Sequence, residues 1–324
     1  MYHNYKKLKK KKKISRLILV YNKKAGNNSN YSPSKFITLY RLLEDEKVLP
    51  DRVIFFPDQN VEFDVEDKDI FLVFGGDGTL SYLLTSLKKS GAMSKSSEIF
   101  LAHLRGGTMN TIASSLRIPN PPQLLKKIHT YISSEEIEVI PRNVLFISTE
   151  KDFLAGIIFG AITPYKFLQD YYSGKIQGPV GGVKTIIRAL SEIPKNQKNI
   201  LRFERCKLKV YLSDGKTCDF EIEKDFFIIG ASTIHTFGLN FSNFPKAPYS
   251  HNNFNALAYS GSLMKLGFFL PLIWFGVLPK ESLNELAVKI DIESEKEIGF
   301  TVDGDLYTAR KISVSSGNHV FFIT

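Results

Sequence analysis

Apolar and polar positions follow two rhythms along this chain. In the first part, near-continuous apolar runs alternate with helically spaced stretches. The runs are Ile14 to Tyr21, Arg52 to Phe56, Asp69 to Phe74 and Glu98 to Leu104, and such runs predict strands buried on both faces. Between them, Phe36, Leu39, Tyr40, Leu42 and Leu43 follow Ser32-Pro33, a cap with proline at the first helical position. Leu80, Leu83, Leu84 and Leu87 follow Thr79 at the same spacing, one helix follows Asn110, and another starts near Pro121. Strands alternating with helices predict a mostly parallel sheet.

From Glu136 the rhythm becomes that of strands with little helix between. Glu136 to Ile140, Asn143 to Thr149, Phe153 to Phe159, Leu201 to Leu212, Thr217 to Glu223, Phe226 to Ala231, Leu286 to Glu293 and Glu297 to Val302 read as strands. Ser213-Asp214-Gly215-Lys216 is a hairpin signal. Helices around Val180 to Leu190 and Leu263 to Phe275 interrupt the series. The expected organisation is a basic tail at 1–13, an α/β domain at 14–135 and a mainly antiparallel β domain at 136–308. Terminal strands at 309–324 are candidates to return to the first domain.

Three of the expected parallel strands end in small or polar turns: Asn22 onward, Gly75-Gly76-Asp77-Gly78-Thr79, and Arg105-Gly106-Gly107-Thr108-Met109-Asn110. Ligands of open α/β sheets bind beyond the carboxyl ends of the strands. Glycines there leave no side chain over the turn, and their N–H groups with a helix N-terminus make an anion site. Asp77 places a carboxylate where a phosphate's metal ion or a hydroxyl to be deprotonated would sit. The plainer reading is a strand-to-helix turn capped by Thr79, for which one glycine suffices.

Composition narrows the class. Hydrophobic residues make up 43% and charged residues 23% of 324 positions, as in a globular protein. The formal charge is +10, but seven lysines between positions 6 and 13 account for all except +3. That run reads as a solvated arm attracted to an anionic surface, either lipid headgroups or nucleic acid, and the run alone does not choose between them. Two cysteines, Cys206 and Cys218, fit a reducing, cytoplasmic compartment, and six scattered histidines suggest no zinc site. Leu266 to Leu278 spans 13 residues and contains Pro271, too short to cross a bilayer; it reads as a core helix.

With these residues in view, the chain resembles the lipid kinases that share the diacylglycerol kinase catalytic domain, a family including diacylglycerol, sphingosine, ceramide and bacterial lipid kinases. Gly75-Gly76-Asp77-Gly78-Thr79 matches the nucleotide loop, Leu104 to Ala113 the second loop, and Asp303-Gly304-Asp305 the late acidic turn. Asn22 to Gly26 is similar to the opening motif, and Thr163-Pro164 with Leu168 falls at a further bacterial segment. The resemblance implies an NAD kinase/diacylglycerol kinase-like α/β nucleotide domain, a β-sandwich domain and a cleft between them. It implies ATP and Mg²⁺ as cofactors and a diacylglycerol-like lipid, met peripherally at a membrane's inner face, as acceptor. Gly75 to Thr79 would wrap the phosphates. Gly107 and Thr108 would contact the nucleotide, Asn110 would hold the second loop and Asn22 would sit beside the nucleotide. Asp305 stands where the bacterial branch has a catalytic Glu, and Asp77 is assigned to Mg²⁺ and phosphate, with base as its second possibility.

The chain also departs from the family pattern. Asp305 is one methylene shorter than Glu, and Asp303 beside it is expected to raise its pKa by repulsion. Lys23 replaces a proline, an acidic linker from Asp58 to Asp67 replaces a helix, and the acids of the family's structural Mg²⁺ site are missing near His251-Asn252-Asn253. A degenerate nucleotide- and membrane-binding protein, or an NAD kinase-like enzyme with a soluble substrate, remain the alternatives.

Overall fold

The structure is a computed structural model. It describes residues 5–11, 13–14, 16–24, 33–57, 65–66, 69–95, 98–174, 178–192, 200–236, 241–247, 252–262, 265 and 277–324. Gly26 of the opening motif, most of the acidic linker, Lys175, His251 and nearly all of the apolar stretch from Leu266 lie outside the described residues. The chain divides into two compact units. One holds Tyr5–Arg142 with Asn318–Thr324; the other holds Asn143–Gly317.

The N-terminal unit begins with strand β1 (Leu8–Lys11) and continues with β2 (Arg16–Asn22), helix α1 (Pro33–Asp45), β3 (Arg52–Phe56) and β4 (Asp69–Phe74). Helices α2 (Asp77–Lys89) and α3 (Ala92–Lys95), strand β5 (Phe100–His103) and helices α4 (Thr111–Ser115) and α5 (Pro121–Ser134) follow. Strands β3, β2, β4 and β5 lie in that order, all parallel. The apolar runs are buried as their composition demands: Ile70 to Val73 and Leu17 to Tyr21 are almost entirely inaccessible. Leu80, Leu83, Leu84 and Leu87 form the inward stripe of α2, each at 0% exposure, the periodicity of a helix with one buried face.

The lysine run is not a free arm. Leu8 to Lys11 pair antiparallel with Val139 to Glu136, the start of β6 (Glu136–Thr149). Lys7 Nζ donates to Glu138 Oε1 at 2.7 Å, and Lys10 pairs with Glu98 while lying 3.8 Å from the Phe321 ring centroid. Alternating Lys and Glu across the ladder cancel the repulsion that a lysine strand carries alone.

The composition break at Glu136 falls at the start of β6, whereas the chain changes unit between Arg142 and Asn143. Glu136–Ile140 and Asn143–Thr149 are one strand, pairing with β1 at 136–139 and with β7 (Phe153–Gly156) at 145–148, with Pro141 between those two segments.

The C-terminal unit continues with β8 (Ile158–Ile162), α6 (Thr163–Ser173), α7 (Pro179–Glu192), β9 (Glu204–Leu212), β10 (Thr217–Phe226), β11 (Ile228–Ser232) and β12 (Phe254–Tyr259). Two long strands, β13 (Leu283–Val302) and β14 (Asp305–Ile323), complete it. The ladders of β12, β11, β8, β13 and the first part of β14 are antiparallel, with β9 on β13 and β10 on β9. Gly215, with φ of 85°, makes the β9–β10 turn at the Ser213–Lys216 signal. The runs Leu286–Glu293 and Glu297–Val302 form the single strand β13, whose register against β14 shifts between Glu293 and Ile298. The last residues of β14 belong to the N-terminal unit, where Phe321 and Phe322 pair parallel with Phe100 and Leu101. Among the described residues, no helix is long and apolar enough to cross a membrane.

Candidate active site

Parallel pairing sets the carboxyl ends of four strands side by side: Asn22 lies opposite Phe56, Phe74 opposite Tyr21 and His103 opposite Val73. The two glycine loops leave from the middle of this rim and touch backbone to backbone. Gly106 N donates to Gly75 O at 2.9 Å. A Cβ on Gly107 would stand 2.3 Å from Gly76 Cα, and one on Gly75 would stand 2.1 Å from Thr79 Oγ1. The glycines are thus required by loop-on-loop packing before any ligand is considered. The same bareness lets an anion approach the backbone N–H groups.

Helix α2 starts at Asp77, two residues before the expected Thr79 cap. Its N-cap is Gly76, with no side-chain capping bond. Thr79 instead accepts from Asn22 Nδ2 at 2.7 Å, while Asn22 Oδ1 accepts from Lys24 N at 2.8 Å. Asn22 therefore ties the end of β2 to the first turn of α2. Gly78, half-buried, occupies that turn. Asn110 folds the second loop onto itself from a left-handed conformation with φ of 46°: its Oδ1 accepts from Gly107 N at 3.1 Å and its Nδ2 donates to Gly107 O at 2.7 Å. Thr108 is exposed on that loop.

Asp77 is buried, and its carboxylate is already engaged. Oδ2 accepts from Thr111 N at 2.7 Å and Oδ1 from Ile112 N at 3.2 Å, which clasps the start of α4 to the start of α2. The acid expected to organise a metal ion thus holds the two loops in register. Burial raises its carboxyl above the ordinary aspartate value; His103 and the two N–H groups oppose that shift. His103, which the sequence reading passed over, is wholly buried, with Nε2 3.2 Å from Gly75 O and Nδ1 without a hydrogen-bond partner among the described residues. Desolvation holds its imidazole below its ordinary pKa, against the pull of Asp77, so it is the neutral form, donating from Nε2. A histidine closing the apolar run Ile99 to Leu104 was the available signal. Arg105 donates to the carbonyls of Ala113 and Ile118, tying the second loop to the end of α4.

In the C-terminal unit, Asp303 and Gly304 form the two-residue turn between Val302 and Asp305, with φ of 48° and 99°. Positive φ at both positions is what a type I′ hairpin turn requires. Asp303 is buried and accepts from Ile158 N at 2.8 Å and Ile157 N at 3.0 Å. Tyr172 lies in α6 and donates to Gly304 O at 2.8 Å. Asp305, the first residue of β14, is exposed, and its carboxylate has no hydrogen-bond donor among the described residues. Desolvation raises its carboxyl, with no contribution from Asp303; the expected like-charge repulsion is not the cause. Tyr307, two residues on, is pushed up to about 12 by burial and by the Asp305, Asp303 and Asp152 carboxylates.

The bare glycine loops at the N-terminus of α2 fit nucleotide phosphates. A magnesium ion finds less: no group of three or more His, Cys, Asp or Glu residues that could hold a metal occurs among the described residues, and both Asp77 oxygens are taken.

Residues 16–140 match the diacylglycerol kinase catalytic domain. No curated protein sequence matches the chain. A diacylglycerol kinase from Bacillus anthracis str. Sterne is structurally similar over 95% of this chain and 96% of that one, with a TM-score of 0.57 and 15% identity. A candidate diacylglycerol kinase from the same strain is similar over 97% and 96%, with a TM-score of 0.63 and 18% identity. At such identities the likeness speaks for the fold: an α/β unit followed by an antiparallel strand-rich unit. The domain match and the paired glycine loops fall together in the N-terminal unit, which thus resembles a diacylglycerol kinase catalytic domain, while the fold of these solved structures extends over nearly the whole chain.

Proposed function

We propose that this protein transfers the γ-phosphoryl group of ATP to the hydroxyl of a diacylglycerol-like lipid. The observation that carries the reading is the backbone contact of Gly75 and Gly76 with Gly106 and Gly107 beside the uncapped start of α2. A phosphate chain docked there meets backbone N–H groups and a helix dipole with no side chain in the way. Asn22 and Asn110 hold that surface in shape, and Thr108 contacts the nucleotide.

Asp305 is the proposed base. Of the three acids in the two motifs, it alone is free of backbone N–H groups, and its raised pKa strengthens it as a proton acceptor. It takes the proton of the lipid hydroxyl, whose oxygen attacks the γ-phosphorus as the bond to the β-phosphate oxygen breaks and ADP leaves. Charge neutralisation and positioning dominate such a transfer. Magnesium accompanies the ATP phosphates in this reading, and no step is assigned to it.

The engaged carboxylate of Asp77 and the short side chain of Asp305 favour a second reading, a nucleotide-binding protein without turnover. One experiment separates them: the purified protein with γ-labelled ATP against diacylglycerol and other hydroxyl lipids in mixed micelles, with NAD as a soluble acceptor. Label in diacylglycerol is expected, falling roughly 100-fold or more in Asp305→Ala with ATP binding unchanged. Nucleotide binding with no labelled lipid establishes the second reading, and label in NAD replaces both.

A further inference from the structure

Helix α7 is inside out for a helix facing water. Among its residues whose burial is described, the buried ones are the small Gly181, Gly182, Thr185 and Ala189, whereas Val180, Val183 and Ile187 are 62%, 48% and 61% exposed. A solvated helix normally turns its large aliphatics inward and its polar residues out. The three exposed aliphatics recur at i, i+3 and i+7 and so share one face. A single exposed aliphatic needs no explanation, but a contiguous stripe marks an interaction surface.

The charge beside the stripe identifies the partner. Lys184 and Arg188 are exposed on the same helix, and Arg188 is held in place by Asp170 at 2.6 Å. An aliphatic stripe bordered by cations suits the boundary between headgroups and acyl chains of an anionic bilayer, where the apolar face inserts and the cations meet phosphates. The lysine strand β1, the membrane contact expected from sequence, has part of its charge met by Glu138 and Glu98.

We propose that the exposed face of α7, through Val180, Val183 and Ile187 with Lys184 beside them, docks this protein on an anionic lipid surface. The proposal rests on the lipid-kinase reading only for preferring a membrane to another protein as occupant.

The test is co-sedimentation of the full chain with phosphatidylglycerol–phosphatidylcholine vesicles. The variant V180S/V183S/I187S should bind roughly tenfold more weakly with an unchanged melting temperature, because all three positions already face water. The variant K9Q/K11Q, on β1, should bind as the parent does. Separately, Ile187→Trp should be quenched by lipids brominated on the acyl chains. Equal binding by the parent and the triple variant overturns the proposal, as does no binding by the parent. A concentration-dependent dimer that the triple variant abolishes also overturns it, since a second copy would then be the occupant. Turnover in detergent micelles does not require α7 to meet a bilayer. Loss of vesicle binding with retained micellar turnover therefore refutes this docking surface alone, and absent turnover with intact vesicle binding refutes the kinase reading alone.

Discussion

Asp77-Gly78 and Asp303-Gly304 look alike as sequence, and both belong to motifs expected to do chemistry. In each, a buried aspartate accepts the N–H groups of two consecutive residues from elsewhere in the chain: Thr111 and Ile112 for Asp77, Ile157 and Ile158 for Asp303. What they clasp differs. Asp77 joins two loops that carry almost no side chains and a helix, α4, of five residues. Asp303 closes a tight turn between two long strands and pins it to the start of β8. The first clasp sets the shape of a surface whose parts have little else to hold them. The second sets the position of one neighbouring residue, Asp305, within an already rigid ladder. A buried acid in a glycine motif can therefore be an organiser, and the free acid is then the better candidate for chemistry.

The comparison breaks most visibly at Asp303. Asp303→Ala leaves the N–H groups of Ile157 and Ile158 buried without acceptors, at roughly 1–3 kcal/mol each, so a loss of about 2–6 kcal/mol is expected. Hydrogen exchange should show those two amides losing protection while Thr111 and Ile112 keep theirs. If all four amides respond together, the clasps are not independent and the contrast drawn between them fails.

Gly107→Ala tests the loop surface itself. Its Cβ would fall 2.3 Å from Gly76 Cα and 2.9 Å from Gly76 N, both backbone atoms that no rotamer change can move. The loops must part, at a cost of roughly 1–3 kcal/mol, and nucleotide affinity should fall with them. Titration of the variant with ATP measures this. Unchanged affinity would mean that the loop contact is packing and nothing more.

The parallel sheet, the glycine rim and the hairpin at Ser213–Lys216 were legible because each rests on local pattern: apolar runs, turn residues and helical spacing. The clasps were not, since Asp77 and Thr111 meet only through the pairing of β4 with β5, and a carboxylate reads the same in sequence whether it meets a metal or an amide. The lysine run misled for a related reason. Its charge is visible locally, but the neutralising Glu138 lies 131 positions from Lys7. The bond from Tyr172 was not legible because its acceptor, the Gly304 carbonyl, is backbone and leaves no trace in residue type.

Asp77→Ala should cost less stability than Asp303→Ala, on the order of 1–2 kcal/mol. The Thr111 position is only half-buried, so its N–H can turn to water, and removing a carboxylate whose burial is unfavourable offsets part of the loss. Nucleotide affinity should nevertheless drop, because the two loops lose their shared anchor. A denaturant midpoint and an ATP titration on the same sample separate the two effects. A large stability loss with intact affinity would reverse the roles assigned to the two clasps.

The smallest effect is set by His103. Its folded-state pKa lies below its ordinary value, so the unfolded chain takes up a proton as pH falls through about 6.5 while the folded chain does not. Its contribution to stability is therefore complete above that pH and declines below it. Asp77 acts in the opposite sense at lower pH: its raised pKa lets the folded state bind a proton first and regain stability as the carboxylate titrates. Arg105, the other charge felt by the imidazole, remains cationic throughout and favours the neutral form. His103→Gln can keep a donor to Gly75 O while removing the titration. Between about pH 7.5 and 5.5 the parent's melting temperature should fall more than the variant's, with a difference on the order of 1 kcal/mol at the acidic end. Parallel curves would mean that His103 titrates as it does in the unfolded chain. The Asp77 clasp would then lack the neutral neighbour that distinguishes its surroundings.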